Sequence, residues 1–261
     1  MLRELIALYV RPFFDTYTYT IQRGVAKGLK RKGGIGFLPI NMLSQEERFL
    51  LDLDLQGQTV YDIGGWEGVI TLFFARAVGV TGKVITFEPN PNNFTRISEN
   101  LLLNQMQNVC VLPVALGEKK SKTSLIVVEN ASGRGSIHNE IKHRMSESKH
   151  AVTVEVDIDS LDNQVALRAL PAPNFVKIDV EGLELDVLNG MTSTIQEHKP
   201  KLFIEVHHVD SSPDHVPTLI EWLNQYDYSL YSVELQREIT LKDARLLVNS
   251  HLFCVKDSCE K

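Results

Sequence analysis

VYDIGGWEGVITLF, residues 60–73, runs from a short apolar stretch through Asp62 and three closely spaced glycines into a helical pattern. A strand, a tight turn and a helix in that order open an α/β unit with a parallel sheet. Gly64, Gly65 and Gly68 allow close backbone approach and conformations closed to other residues. The pattern predicts a bulky ligand lying across this turn, with Asp62 and Glu67 beside it.

Outward from this turn the same alternation continues. Residues 59–63 read as a strand, 67–78 as a helix and 83–88 as a second strand. Asn90-Pro91 caps and starts a helix reaching Asn104, and 109–116 is a third strand. The β-α-β-α-β order predicts parallel strands joined by right-handed crossovers. Residues 123–129 and 152–161 add extended runs. Strands over 175–181 and 201–207, with a helix over 183–196 between them, resume the rhythm. A helix over 216–226 precedes strands at 229–234 and 251–256, which suit a hairpin at one sheet edge.

Upstream, Leu2, Ile6, Val10, Phe13, Tyr17 and Ile21 lie at near-helical spacing, predicting a helix across 1–32 that Pro12 splits. Ser44 and Glu47 form a capping box for a short helix through Leu53. The expected organisation is an N-terminal helical extension over 1–42 and a single α/β domain over 43–261.

The 261 residues are 43% hydrophobic, enough for a large core. The net charge of -6 argues against a nucleic-acid partner. It is unevenly spread: seven Lys/Arg against two acids over 1–34 give +5, leaving -11 for the rest. That basic head suits peripheral contact with an anionic membrane or a partner, or is a solvated helix face. Three cysteines without CxxC or Cys/His ligand spacing fit a reducing compartment, and no run approaches the ~20 apolar residues of a membrane span. A cytoplasmic protein is expected.

Two cofactor classes use a glycine turn after the first strand. Dinucleotides favour G-x-G-x-x-G, with pyrophosphate at the helix start. The spacing here differs, and Asp62 and Glu67 would repel a pyrophosphate. They would favour the ammonium and sulfonium of S-adenosylmethionine. Glu88, ending the second strand, can accept hydrogen bonds from both ribose hydroxyls.

A second concentration of charge sits at later strand ends. Lys177, Asp179 and Glu181 alternate onto one face of one strand, Glu205 and His207 onto one face of the next. Charges on otherwise apolar strands need water, partners or a ligand. Neighbouring strands would gather them beside the cofactor cleft. His207 is the expected base for a hydroxyl acceptor by intrinsic pKa, with Asp179 its rival. Glu181 or Glu205 would orient the base, bind substrate hydroxyls or neutralise Lys177. Mg²⁺ or Mn²⁺ would suit these ligands, although no fixed spacing demands a metal. The polar stretch 131–150, with Gly133 and Gly135 as hinges, is an expected lid or a plain surface loop.

DIGGWEGVITLFFA, FEPNPNNFTRISENLLLN, VDIDSLD, FVKIDVEGLELDVLNGM and FIEVHH together resemble the class I S-adenosylmethionine-dependent methyltransferases, and more narrowly the FkbM family, over residues 58–207. The chain departs from that pattern at Trp66, where the family often has a small polar residue. The resemblance implies a Rossmann-like, mostly parallel seven-stranded sheet flanked by helices, and O-methylation of a small-molecule, sugar or glycan hydroxyl. It implies that Asp62, Gly64 and Gly68 belong to the cofactor turn, that Glu88 holds the ribose with Asn90 in the same loop, and that Ala115 lies near the adenine. An RNA or protein methyltransferase and a non-catalytic adenosylmethionine-binding scaffold stay open as alternatives.

Overall fold

In the computed structural model, which describes residues 15–34, 42–128, 135–136, 151–207, 212, 214–247 and 249–256, an eight-stranded sheet runs through the middle of the molecule. Ahead of it, β1 (Thr18–Thr20) and β2 (Lys30–Lys32) form an antiparallel hairpin. Helix α1 (Gln45–Leu51) opens on the expected capping box: the Ser44 hydroxyl accepts from Glu47 N, and the Glu47 carboxylate accepts from Ser44 N. The units β3 (Thr59–Ile63), α2 (Val69–Ala77), β4 (Lys83–Phe87), α3 (Pro91–Leu103) and β5 (Val109–Leu112) then alternate as predicted. The chain leaves for a second sheet of β6 (Ala115–Leu116), β7 (Ser121–Val128), β8 (Gly135–Ser136) and β9 (Ala151–Asp159), ordered β6-β9-β7-β8. Helix α4 (Leu161–Arg168) leads back to β10 (Phe175–Ile178). There follow α5 (Glu184–Asn189), α6 (Thr192–His198), β11 (Lys201–Val206), α7 (His215–Gln225), β12 (Tyr228–Ser232), β13 (Arg237–Glu238), a 3-10 turn at Leu241–Leu246 and β14 (Ser250–Lys256).

The central order is β13-β12-β14-β11-β10-β3-β4-β5. Strands β11, β10, β3, β4 and β5 are mutually parallel, and β14 runs antiparallel between β11 and β12. The expected edge hairpin is therefore present, with the two-residue β13 added outside it as an eighth strand. The order reverses between β3 and β10, where Ile63 lies opposite Ile178. Crevices for ligands open beyond the carboxyl ends of strands at such a switch point.

Side-chain alternation divides the core. Val60, Phe175 and Phe203 pack with Leu50 of α1 and Phe74 of α2 on one face. Tyr61, Ile63, Ile178 and Ile204 pack with Val187 of α5 and Leu219 of α7 on the other. Asp62, Lys177 and Glu205 fall on the first face by the same alternation, nearest the switch point.

Several boundaries differ from the sequence expectation. The helix predicted across 1–32 is a hairpin over its described part; residues 1–14 lie outside the described residues. Gly24, Gly28, Gly33 and Gly34 all have left-handed φ, between +70° and +90°, which no helix tolerates. Tyr19, Ile21 and Ala26 pack with Leu72 of α2 and Ile97 of α3, while Asn100 and Asn104 accept the Lys32 and Lys30 N–H groups at 2.8 Å. The third strand stops at Leu112 before Pro113, which has no N–H to give a ladder. The helix expected over 183–196 divides at Gly190, where a Cβ would stand 2.0 Å from the Gly117 carbonyl oxygen. Helix α4 lies where no helix is expected. Of the stretch expected as a lid or surface loop, only Gly135 and Ser136 are described, and they pair with β7; Gly133 and the rest lie outside the described residues. Among the described residues, no helix is long and apolar enough to cross a membrane.

Candidate functional site

The turn after β3 is built by close backbone packing. Gly64 and Gly68 have φ of +83° and +81°. A Cβ on Gly64 would stand 1.9 Å from the Asp179 carbonyl oxygen, and one on Gly65 2.3 Å from Thr86 Cγ2. One on Gly68 would meet Ile97 Cγ1 at 2.9 Å. The absence of side chains is thus demanded by neighbouring strands and α3. Gly64 N and Gly65 N both donate to the Phe87 carbonyl, tying the turn to the end of β4.

Three acids surround this turn in different states. Asp62 is fully buried; its Oδ2 accepts from Thr71 Oγ1 at 2.6 Å, and Oδ1 lies 3.5 Å from Lys177 Nζ without a hydrogen bond. Burial raises its carboxyl pKa, against the pull of Lys177 and the Thr71 hydroxyl. Glu88 Oε2 accepts from Trp66 N at 2.7 Å and Oε1 from Asn90 N at 2.8 Å, with Asn93 Nδ2 at 3.3 Å. Burial outweighs these donors and pushes Glu88 up to about 7. Glu67 is paired with the Arg31 guanidinium of β2, both side chains nine-tenths buried or close to it. The hairpin therefore braces the turn from behind. Trp66 adopts a left-handed φ of +47° and is 45% exposed.

Across the switch point, β10 and β11 are neighbours and their ends gather the second set of charges. Lys177 is buried, with Nζ 3.1 Å from Asp179 Oδ2 and 3.2 Å from the Gly64 carbonyl oxygen. It links the glycine turn to the end of β10. Its ammonium is stabilised against burial by Asp179 and Asp62, which raise its pKa. His207 Nδ1 lies 2.8 Å from Oε1 of Glu184, a fully buried carboxylate that also accepts from Gly182 N and meets His215 Nε2 at 2.8 Å. His207 Nε2 faces Asp179 Oδ1 at 3.9 Å, Glu181 Oε2 at 3.7 Å and Glu205 Oε1 at 3.6 Å. Burial alone would lower the imidazole pKa, but Glu184, Glu205 and Glu181 raise it to about 9. Burial opposes ionisation of Glu184, yet His207 and His215 hold it near 2. His251 on β14 stacks on Phe203, bonds Glu234 at 2.7 Å and stands 3.7 Å from Glu205.

A family description, the methyltransferase FkbM domain, matches residues 60–230. The chain belongs to the FkbM methyltransferase family. Over 164 residues it is 30% identical to the hexuronic acid methyltransferase AglP of Haloferax volcanii, covering 61% of this chain and 60% of that protein. It is 27% identical over 144 residues to Methyltransferase 1 of Beauveria bassiana, covering 51% of this chain and 57% of that one. The chain thus spans about six-tenths of the length of these curated relatives. Among solved structures, an FkbM methyltransferase from Methylobacillus flagellatus shares the fold, with a TM-score of 0.51 and 21% identity over 78% of this chain and 45% of that one.

Within this FkbM fold, Asp62, Gly64, Gly65, Gly68 and Glu88 stand together at the β3 and β4 ends, with the buried Asn90 capping α3. Ala115 is buried in β6, beside Ile158 of β9. Asp179, Glu181, Glu205 and His207 converge as expected, although β10 ends at Ile178 and Glu181 sits beyond it with φ +53°. Glu67 turns to Arg31 instead of standing as a spare acid. His207, the expected base, is engaged through Nδ1 by Glu184, and the carboxylates around it favour its protonated form. Sequence reading missed Glu184, His215 and His251. Glu184 lies in the first turn of a helix, where an acid needs no special explanation, so nothing local announced its bond to His207.

Proposed function

We propose that this chain is an S-adenosylmethionine-dependent O-methyltransferase whose acceptor is a hydroxyl of a sugar or another polyhydroxylated small molecule. The observation that carries this reading is the juxtaposition of two charged groups of residues at one switch point. Asp62 and Glu88 flank the glycine turn, and Asp179, Glu205 and His207 crowd the strand ends across from it. The donor set supports a cationic nucleoside: Asp62 keeps a buried oxygen that only the Lys177 ammonium faces, at 3.5 Å, and Glu88, at the end of β4, is the acid we assign to the ribose hydroxyls. Bound there, the cofactor supplies a methyl group already activated by its sulfonium.

The chain's own residues then hold the acceptor and receive its proton. Positioning accounts for much of the acceleration in such a reaction, and a positioned base contributes ~10²–10⁴-fold. A carboxylate at these strand ends, Asp179, Glu181 or Glu205, is the proton acceptor, and His207, held through Nδ1 by Glu184, turns Nε2 toward all three. The name of the Haloferax relative, a hexuronic acid methyltransferase, supports a sugar acid as the first acceptor to try. The acidic body of the chain, -11 outside its first 34 residues, weighs against RNA.

The test is transfer of a labelled methyl group to a panel of uronic acids, neutral sugars and phenols. Glu88→Ala should weaken adenosylhomocysteine binding by roughly 1.5–3 kcal/mol through loss of a charge-assisted ribose bond. Unchanged affinity would remove Glu88 from the cofactor site.

A further inference from the structure

We propose that Asp179, Glu205 and His207 form a binding site for a divalent cation, Mg²⁺ or Mn²⁺, whose open positions take oxygens of the acceptor. This deepens the methyl-transfer reading and rests on it for the nature of the acceptor. One ligand atom from each of the three residues lies within 4.8 Å of the others. Oxygen and nitrogen ligands about 2.1–2.3 Å from a shared ion stand roughly 3.0–4.6 Å apart. His207 Nε2 is 3.9 Å from Asp179 Oδ1 and 3.6 Å from Glu205 Oε1. These ion-pair separations are longer than hydrogen bonds and fall within the range that a common ion would set.

Each side chain is held from behind by its other polar atom. Asp179 Oδ2 accepts from Lys177 Nζ at 3.1 Å, leaving Oδ1 toward the cluster. Glu205 Oε2 faces His251 at 3.7 Å, leaving Oε1. His207 Nδ1 is bound to Glu184, leaving Nε2. Glu184 is itself fully buried and fastened by the Gly182 N–H and by His215. A carboxylate behind an imidazole in this way fixes the tautomer and ring orientation of a metal-ligating histidine.

Three protein ligands leave about three octahedral positions for water and acceptor oxygens. Adjacent oxygens, as in a vicinal diol or a hydroxy acid, would chelate there. Coordination acidifies the reacting hydroxyl. Its proton passes to Glu181, whose side chain is 55% exposed and 3.7 Å from His207 Nε2. The freed electron pair forms the new O–CH₃ bond, and the electrons of the broken C–S bond stay on sulfur.

The experiment titrates Mn²⁺ into the metal-free full chain and follows the free-ion electron paramagnetic resonance signal. One saturable ion per chain is expected, displaced by Mg²⁺. Asp179→Asn and Glu205→Gln should each weaken it at least tenfold, and Glu184→Gln by about 10–100-fold through lost orientation of His207. Circular dichroism melts establish that each variant is folded; if Asp179→Asn is not, Glu205→Gln carries the test. No saturable binding, or binding unchanged in the folded ligand variants, overturns the site. Adenosylhomocysteine titrated separately distinguishes the two readings. Its binding without Mn²⁺ binding removes only the cation, whereas Mn²⁺ binding without it leaves the cation site and removes the methyltransferase reading.

Discussion

Gly64→Ala should be among the most damaging single-methyl additions in the molecule, and the structure says by how much. The new Cβ would stand 1.9 Å from the Asp179 carbonyl oxygen and 3.0 Å from its carbon. That backbone has little freedom to withdraw, because Asp179 N donates to the Ile63 carbonyl and β3 pairs with β10 along its length. A left-handed φ costs alanine about 1–2 kcal/mol. Overpacking a fixed neighbour adds about 1–3 kcal/mol, and losing the Asp179–Ile63 bond about 1 kcal/mol. The sum, roughly 3–6 kcal/mol, is a large share of a typical domain's stability. Gly57→Ala is the control. Its φ is +73°, but its Cβ would meet only Thr81 Oγ1 at 3.5 Å, so the backbone cost of about 1–2 kcal/mol acts alone. Urea unfolding at equal m-values compares the two. A Gly64→Ala variant within about 1 kcal/mol of Gly57→Ala would refute the close-packing account of the turn.

Glu88 gives a pH signature. Burial pushes its carboxyl up to about 7, against 4.5 for a free side chain, so the folded state binds a proton the unfolded chain has released, and stability falls as pH rises between those values. Relative to Glu88→Gln, the wild type should lose about 3 kcal/mol of unfolding free energy between pH 4.5 and 8; parallel pH curves would contradict the buried, perturbed acid. Arg31→Met should cost roughly 3–5 kcal/mol by stranding Glu67 in the turn, and adding Glu67→Leu should recover most of it in thermal melts. No change in Arg31→Met would detach the N-terminal hairpin from the glycine turn. Ser44→Ala should cost about 1 kcal/mol through the lost α1 cap, and an unaltered melt would discount that box.

What the sequence made legible was local. The Ser44 box, the Asn90-Pro91 cap and the apolar runs at 59–63 and 83–87 each specify their element within a few residues, and they appear where expected. The hairpin at 18–32 was misread because helical spacing of Tyr17 and Ile21 coexists with the TYTYT alternation, and only the left-handed glycines decide between them. Glycines at 64, 65 and 68 signalled a special turn, but their cause lies in Asp179, Thr86 and Ile97, two of them on other strands or their ends. The charged cluster was legible because period-2 charge on apolar strands is rare. The setting of His207 was not, since it depends on Glu184 twenty-three residues earlier in the chain and on Glu181 and Glu205, brought in by two strand ends. Arg31 and Glu67 pair across thirty-six residues, with no signal in either segment.

The measurement that bears most directly on the central claim is a calorimetric comparison of adenosylhomocysteine and NAD binding to the full chain. The acidic turn around Asp62, the carboxylate of Glu88 and the absence of dinucleotide glycine spacing predict saturable 1:1 binding of adenosylhomocysteine, weakened by Glu88→Ala, and no measurable binding of NAD. NAD binding equal to or tighter than adenosylhomocysteine would contradict the account.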